Sequence, residues 1–528
     1  MRNRLRFAVA LTAGSLLLAG CGSAPERGEG DTDAAQEGLP VSIGLDENFD
    51  PNAHFSFADY YPPSSFDPYS SASGLDQTYL APIYDRLIYR APDGSYEPML
   101  ATEWETNDEK TALTLTLREG LSFTDGAPFD AQAVKTNLDR YLSEGSKIKQ
   151  ELPQVTGVEV IDPLTVRINV DGKIGALTST LAARPGMMVS PQAIAKGDLA
   201  GNPVGIGPYT ATSVVPGTSV SLTKTADYWD PDAQRVATMD VIGMPQEQTR
   251  YNALITGDLS AARLEAEQLS AAQNEDLAVI AGPTPTFSFF ALNTSVAPFD
   301  DPDVRKAISM AIDREGIGLG LNEGLCKPQI QLWPENSPEY DEDFGDGLEH
   351  FPYDPDAAQE LLDETDYTPG ESYDAVLNNN SSSVKTAEVI QANLSAIGIE
   401  INVNPVPSGG IIENFAIAKS MPTTVSGYTG VPDPDGVHER NLAPTAPYNP
   451  GGEVYDKLNE LAAEGANSLD PQERKDAYSA YMEEFVNAVP HLIPICMPYR
   501  AVGHDHSVTN LNPSGDYIDL RGVAVSKS

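Results

Sequence analysis

Cysteine, tryptophan and histidine are scarce in this 528-residue chain, at three, three and six. So few cysteines exclude a disulfide-dense scaffold, and the lack of any CxxC pair excludes a zinc site recognisable from spacing. The histidines are too scattered for a metal centre; the one tight pair, His504-Asp505-His506, reads as surface. Basic residues are equally short, with 33 Lys and Arg against 77 Asp and Glu, a net charge of −44. That balance argues against nucleic acid and anionic membrane surfaces as partners. The acids run along the whole chain, which reads as solvated acidic surface suited to saline surroundings rather than one patch attracting cations. Asp341 to Gly347 glances at a calcium loop, but its glycine comes one place early and Pro352 stands where the closing glutamate belongs. Catalytic signatures are missing too: there is no GxSxG elbow, no HExxH and no Walker-type glycine loop. A paired-carboxylate hydrolase stays as the alternative class, because acidic pairs are uninformative in so acidic a chain.

Long apolar runs are absent after the first twenty residues, so nothing approaches the roughly 20 residues of a membrane-spanning helix. Phe7 to Leu18 is too short for one and follows Arg2, Arg4 and Arg6, the pattern of a secretory signal. It ends Leu18-Ala19-Gly20-Cys21, which resembles a lipobox with Cys21 lipidated. The reading is therefore a signal peptide over 1–20 and a disordered tether over 21–38, rich in Gly, Ala, Glu and Asp. Such a chain is expected on the outer face of the cell membrane, held by its lipid only. In that oxidising setting two readings of Cys326 and Cys496 stand, a disulfide or two free thiols.

What remains is long enough for about three domains and reads as mixed α/β. Leu113 to Leu117 and Val166 to Val170 alternate with period two, as half-buried strands do. Asp301-Pro302, Asp354-Pro355 and Asp470-Pro471 each precede an apolar stripe of helical spacing. Aspartate supplies the N-cap oxygen, and proline at the first helical position gives up an N–H that would be unpaired anyway. Val389 to Ile397 is a further stripe, closed by Gly398.

Six ordered blocks carry a family resemblance. PMLATEWETNDEKTALTLTLREGLSFTDGAPFDAQAVKTNLDRYL, from Pro98 to Leu142, holds a Pro-x-Leu-Ala-x-x-Trp, a strand ending Leu-Arg, and Phe-x-Asp-Gly-x-Pro before a helix. NPVGIGPYTATSVVPGTSVSLTKTADYW follows from Asn202, with Ile206 where a threonine is usual, and FFALNTSVAPFDDPDVRKAISMAIDREGI from Phe289. YDPDAAQELL, IQANLSAIGIEINV and ERKDAYSAYMEEFVNAVPHLIPI complete the set. Together they resemble the extracellular binding proteins for oligopeptides, dipeptides and nickel, solute-binding protein family 5. The resemblance implies an α/β periplasmic-binding-protein-like fold of two lobes about a hinge, with an extra subdomain in the first. Lobe I would take 39–75, 204–285 and 505–528, the subdomain 76–203, and lobe II 286–504.

It further implies a monomeric, non-enzymatic capture subunit without cofactor or resident metal, serving ABC permease subunits. The cargo would be a peptide, an oligosaccharide or a metal chelate; a receptor that signals without transport is the other family-level reading. The informative segment is Ser426 to Gly436. Peptide-binding relatives place there an aspartate that receives the ligand's ammonium group, a charge-assisted contact. Aligned on Asp433-Pro434, that position is Gly430, which tilts the reading away from ordinary peptides. Tyr428, Thr429, Gly430 and Asp433 are then candidate ligand contacts, Asp433 with a competing role in turn chemistry. Ser65 and Phe66 in the early cleft-edge loop, Phe287 at the first crossing between lobes, and Trp333 as a cleft wall complete the candidates. His438 would matter if the ligand were chelated nickel.

Overall fold

The computed structural model describes residues 39–407, 409–428 and 433–527. The signal peptide, Cys21, the tether, Thr429 and Gly430 lie outside the described residues.

The two strands marked by alternation form as Ala112–Leu117 and Thr165–Val170 and pair antiparallel, Leu113 opposite Ile168 and Leu115 opposite Val166. The apolar side chains of both turn to one face, where they meet the helix Ala131–Leu142. The three Asp-Pro dipeptides open the helices Pro302–Ala311, Pro355–Asp363 and Pro471–Ala488, each aspartate accepting from a backbone N–H of the first turn. Gly398 follows the helix Ser381–Ala396 with φ +79°, the left-handed conformation that favours glycine. Gly205 and Gly207 have a different reason: a Cβ at either would stand 2.1 to 2.5 Å from the backbone of Ile83.

Among the described residues a twelve-stranded sheet draws on segments expected in both lobes. Its shared member is the long strand Leu492–His504. Leu492 to Cys496 pairs with Ser288–Leu292, and the far half pairs with Ala261–Leu264 and Ala278–Pro283. On the lobe I side the order continues through His54–Asp59, Thr238–Gly243, Ser219–Lys224 and Tyr209–Val215. On the lobe II side it continues through Thr423–Gly427, Ser372–Asn378 and Glu400–Val406. A separate four-stranded sheet belongs to the region between Ala101 and Val170.

Apolar side chains gather in distinct cores, as a chain of this size requires. Leu87 to Ala182 forms one with Met188 and Ile206. Tyr79 to Tyr84 and Met187 to Leu199, inside the 76–203 segment, pack instead with Phe55, Phe57 and the C-terminal Leu511 to Val523. Two further cores lie between Phe287 and Met497, one aromatic and one aliphatic.

His491 immediately precedes the long strand and is fully buried. Its Nε2 lies 3.0 Å from the Asn441 carbonyl and 2.9 Å from that of Tyr448, so this nitrogen donates. Burial pushes its pKa down from 6.5 to about 4. The unfolded chain therefore binds the proton first, and the stability contributed is complete above pH 6.5 and falls away towards pH 4. The loss is on the order of 3 kcal/mol, at about 1.4 kcal/mol per pKa unit. Urea unfolding should show the advantage of wild type over His491→Gln shrinking by that amount between pH 7 and 4; a constant gap would refute it.

Candidate ligand-binding site

Parallel strands end where ligands bind, because loops leaving their carboxyl ends can diverge around a crevice. In lobe I, His54–Asp59 is parallel to Thr238–Gly243 and to Ala261–Leu264. Their carboxyl ends bring Asp59-Tyr60, Met244 and Leu264-Glu265 to one edge. In lobe II, Ser372–Asn378 is parallel to Glu400–Val406 and to Thr423–Gly427, which is followed by Tyr428. The chain passes between the two through Thr284 to Phe287 and again within Cys496 to Tyr499. Thr284 fixes that crossing: its N–H and Oγ1 both donate to the Pro498 carbonyl, at 3.2 and 2.7 Å. The Cys326–Cys496 disulfide lies at the same place and joins the short strand Cys326–Pro328 to the long one.

The lobe I edge is set by two buried arginines. Arg250 donates to the carbonyls of Arg263 and Met244, both at 2.7 Å, and to Glu265 at 2.9 Å, tying two strand ends together. Arg500 donates to the carbonyls of Pro513 and Asp516, at 3.0 and 3.2 Å. Burial first, and then the charge of Arg263, pushes Arg500 down to about 10. Arg263 itself lies 4.5 Å over the Tyr60 ring.

On the lobe II edge Phe287 and Tyr428 stack at 5.5 Å with planes 13° apart, and the Phe287 carbonyl accepts from Tyr428 N–H at 2.8 Å. Beneath them Trp333 packs against Tyr478 and Tyr481, at 5.5 and 5.8 Å. Lys173, on the four-stranded side, reaches Asp435 at 3.0 Å and Glu439 at 2.7 Å. Lys385 meets Glu267 at 3.0 Å. These ion pairs join segments expected in different lobes.

A model of the bacterial extracellular solute-binding proteins, family 5 (middle region), matches residues 95–448. The chain belongs to this family. The glutathione-binding protein GsiB of Salmonella typhimurium is 30% identical over 355 residues, covering 66% of this chain and 68% of that protein. Among solved structures, DppA from Helicobacter pylori in complex with the peptide STSA is similar with a TM-score of 0.73 and 24% identity, over 91% of this chain and 99% of that one. HbpA2 from Haemophilus parasuis gives 0.78 and 20%, over 90% and 100%. The fold is accordingly the two-lobed one of periplasmic binding proteins, and the chain is a solute-binding protein, not an enzyme.

In this family 5 protein the residues singled out from sequence fall in different places. Phe287 and Tyr428 come together at the hinge, both buried. Trp333 belongs to the aromatic core under them. Phe66 sits in the lobe I core edge-on to Tyr79, and Ser65 accepts from the Asp67 N–H at 3.0 Å. Asp433 caps the helix Pro434–Asn441 through the Asp435 N–H and takes Arg474 Nη2 at 2.8 Å, so its carboxylate is engaged. His438 is buried against Tyr481, its Nδ1 3.1 Å from the hydroxyl, and burial holds it down at about 4. No cluster of metal-ligating side chains occurs among the described residues, and none of their helices is long and apolar enough to cross a membrane. Sequence reasoning passed over Arg263 and Arg500. Arg263 had one legible signal, a single charge inside the short apolar strand Ala261–Leu264.

Proposed function

We propose that this protein is the capture subunit of an ABC importer, lipidated at Cys21, and that it encloses a small peptide-type solute between its lobes. The observation that carries the reading is the meeting of parallel-strand carboxyl ends from both lobes at one polar hinge, Thr284, Thr286 and Ser288. A crevice at a domain interface is where small ligands are preferentially bound. Ligand-stabilised closure of that crevice gives a permease a conformation to recognise. The glutathione-binding relatives support a short peptide over an oligosaccharide or a nickel chelate, even with Gly430 at the ammonium-anchoring position. Oligomeric state follows the same reading: a monomer presents both lobes to the permease.

A thermal-shift panel of short peptides including glutathione, oligosaccharides and nickel chelates tests it on residues 39–528. A ligand in hundredfold excess over its Kd stabilises the native state by about 2.7 kcal/mol. A shift with peptides is expected. A shift confined to oligosaccharides or nickel chelates would overturn the cargo assignment.

A further inference from the structure

Arg263 is an unexplained charge. Its Nε is buried without a hydrogen-bond partner, and no carboxylate among the described residues lies within ion-pairing distance of it. Every neighbouring cation is otherwise engaged. Arg250 is held by Glu265 and two carbonyls, and Arg500 by the carbonyls of Pro513 and Asp516. The nearby carboxylates are engaged as well. Asp59 accepts from the Tyr60 N–H at 2.7 Å, and Asp516 from Gln77 Nε2 at 2.7 Å. Among the described residues the Arg263 side chain is positioned by the Tyr60 ring, at 4.5 Å. A guanidinium stacked on an aromatic face keeps its fork of N–H donors free for a planar oxyanion. Its backbone is fixed by Arg250, so the charge stands on a rigid strand end at the cleft edge.

Asp59 and Glu265 are near enough to favour the charged guanidinium, but neither bonds to it, and buried polar groups are nearly always hydrogen-bonded, so its Nε stays open to an acceptor. We propose that Arg263 is the anchor for a carboxylate of the bound solute, so the cargo is an acidic small molecule rather than a neutral one. This rests on the cleft being the solute site. It reverses the usual emphasis for peptide capture: here a cation on lobe I selects the ligand's acid end. The overall charge of −44 makes the local reversal selective, since the acidic surface repels anions everywhere else.

The test uses native mass spectrometry of the protein with an equimolar mixture of matched pairs. Each pair is a free acid and its amide: dipeptides with their C-amides, glutathione with its diamide, and small dicarboxylates with their diamides. Wild type should retain acids over amides by roughly a hundredfold, the scale of a charge-assisted bidentate contact. In Arg263→Gln that preference should vanish, with a urea unfolding midpoint near that of wild type showing that the variant folds. Arg263→Lys should keep part of it. Equal retention of acid and amide by wild type, or a preference that survives in Arg263→Gln, would overturn the anchor and leave solute binding intact. Retention of no member of the mixture would defeat both the anchor and the peptide-type cargo.

Discussion

Replacing Arg474 with leucine should lower the free energy of unfolding by about 3–5 kcal/mol, the range found when one partner is removed from a buried ion pair. Arg474 lies inside lobe II with its Nε 3.0 Å from Glu339 and its Nη2 2.8 Å from Asp433. Its Nη1 donates to the Gly465 carbonyl at 3.0 Å. Both carboxylates are at most 5% exposed, so neither can turn to water when the guanidinium goes. Burial already raises the Asp433 pKa, and Arg474 is the main opposing influence. Without it, both acids face each other charged, or one takes up a proton. The loss should therefore be larger at pH 8 than at pH 5, because protonation relieves the repulsion at the lower pH. Urea unfolding of Arg474→Leu at the two pH values reads this directly. A change below 1 kcal/mol, or one that grows as pH falls, would contradict it.

Breaking the disulfide should have an effect of similar size by a different route. Cys326 and Cys496 are 170 residues apart in sequence, so the bridge removes a large closed loop from the freedom of the unfolded chain. Loop-closure entropy for that length gives about 5 kcal/mol at 25 °C, and measured losses on removing native bridges are about 2–5 kcal/mol. The bridge sits where Cys326–Pro328 pairs with Cys496–Pro498 and where the Leu325 carbonyl accepts from Tyr499 N–H at 2.8 Å. Native hydrogen bonds thus hold the same strands together, and the folded geometry should survive reduction. The double variant Cys326→Ser with Cys496→Ser should unfold at lower urea concentration yet retain the ligand stoichiometry of wild type. Unchanged stability would contradict the bridge's role, and lost binding with intact stability would make it part of the site.

The fold was legible because its punctuation is local. An aspartate before a proline caps a helix by contacts within three residues, so Asp301, Asp354 and Asp470 announced theirs from sequence alone. Period-two alternation likewise placed Leu113 opposite Ile168 on one buried face. The same device explains Asp433-Pro434. Its aspartate caps a fourth helix, a local role of the kind that competed with ligand contact in the sequence reading. Trp333, expected as a cleft wall, fills the core beside Tyr478 and Tyr481. The cleft was less legible because it is assembled from ends. Tyr60, Arg263, Thr284 and Arg500 are separated by up to several hundred residues and meet only through strand order. Nothing within ten residues of Arg263 says that its neighbours will leave it unpaired; that depends on Arg250 taking Glu265. The cysteines were an intermediate case, in which pairing depended on two strands meeting at the hinge.

The most direct test of the account is equilibrium dialysis of residues 39–528 against the best peptide-type ligand from the thermal-shift panel, with the ligand weighed by mass spectrometry afterwards. The account predicts one equivalent bound, saturably and reversibly, and recovered with its mass unchanged. Ligand returned as product, or no saturable binding, would contradict a capture protein that closes on its cargo without chemistry.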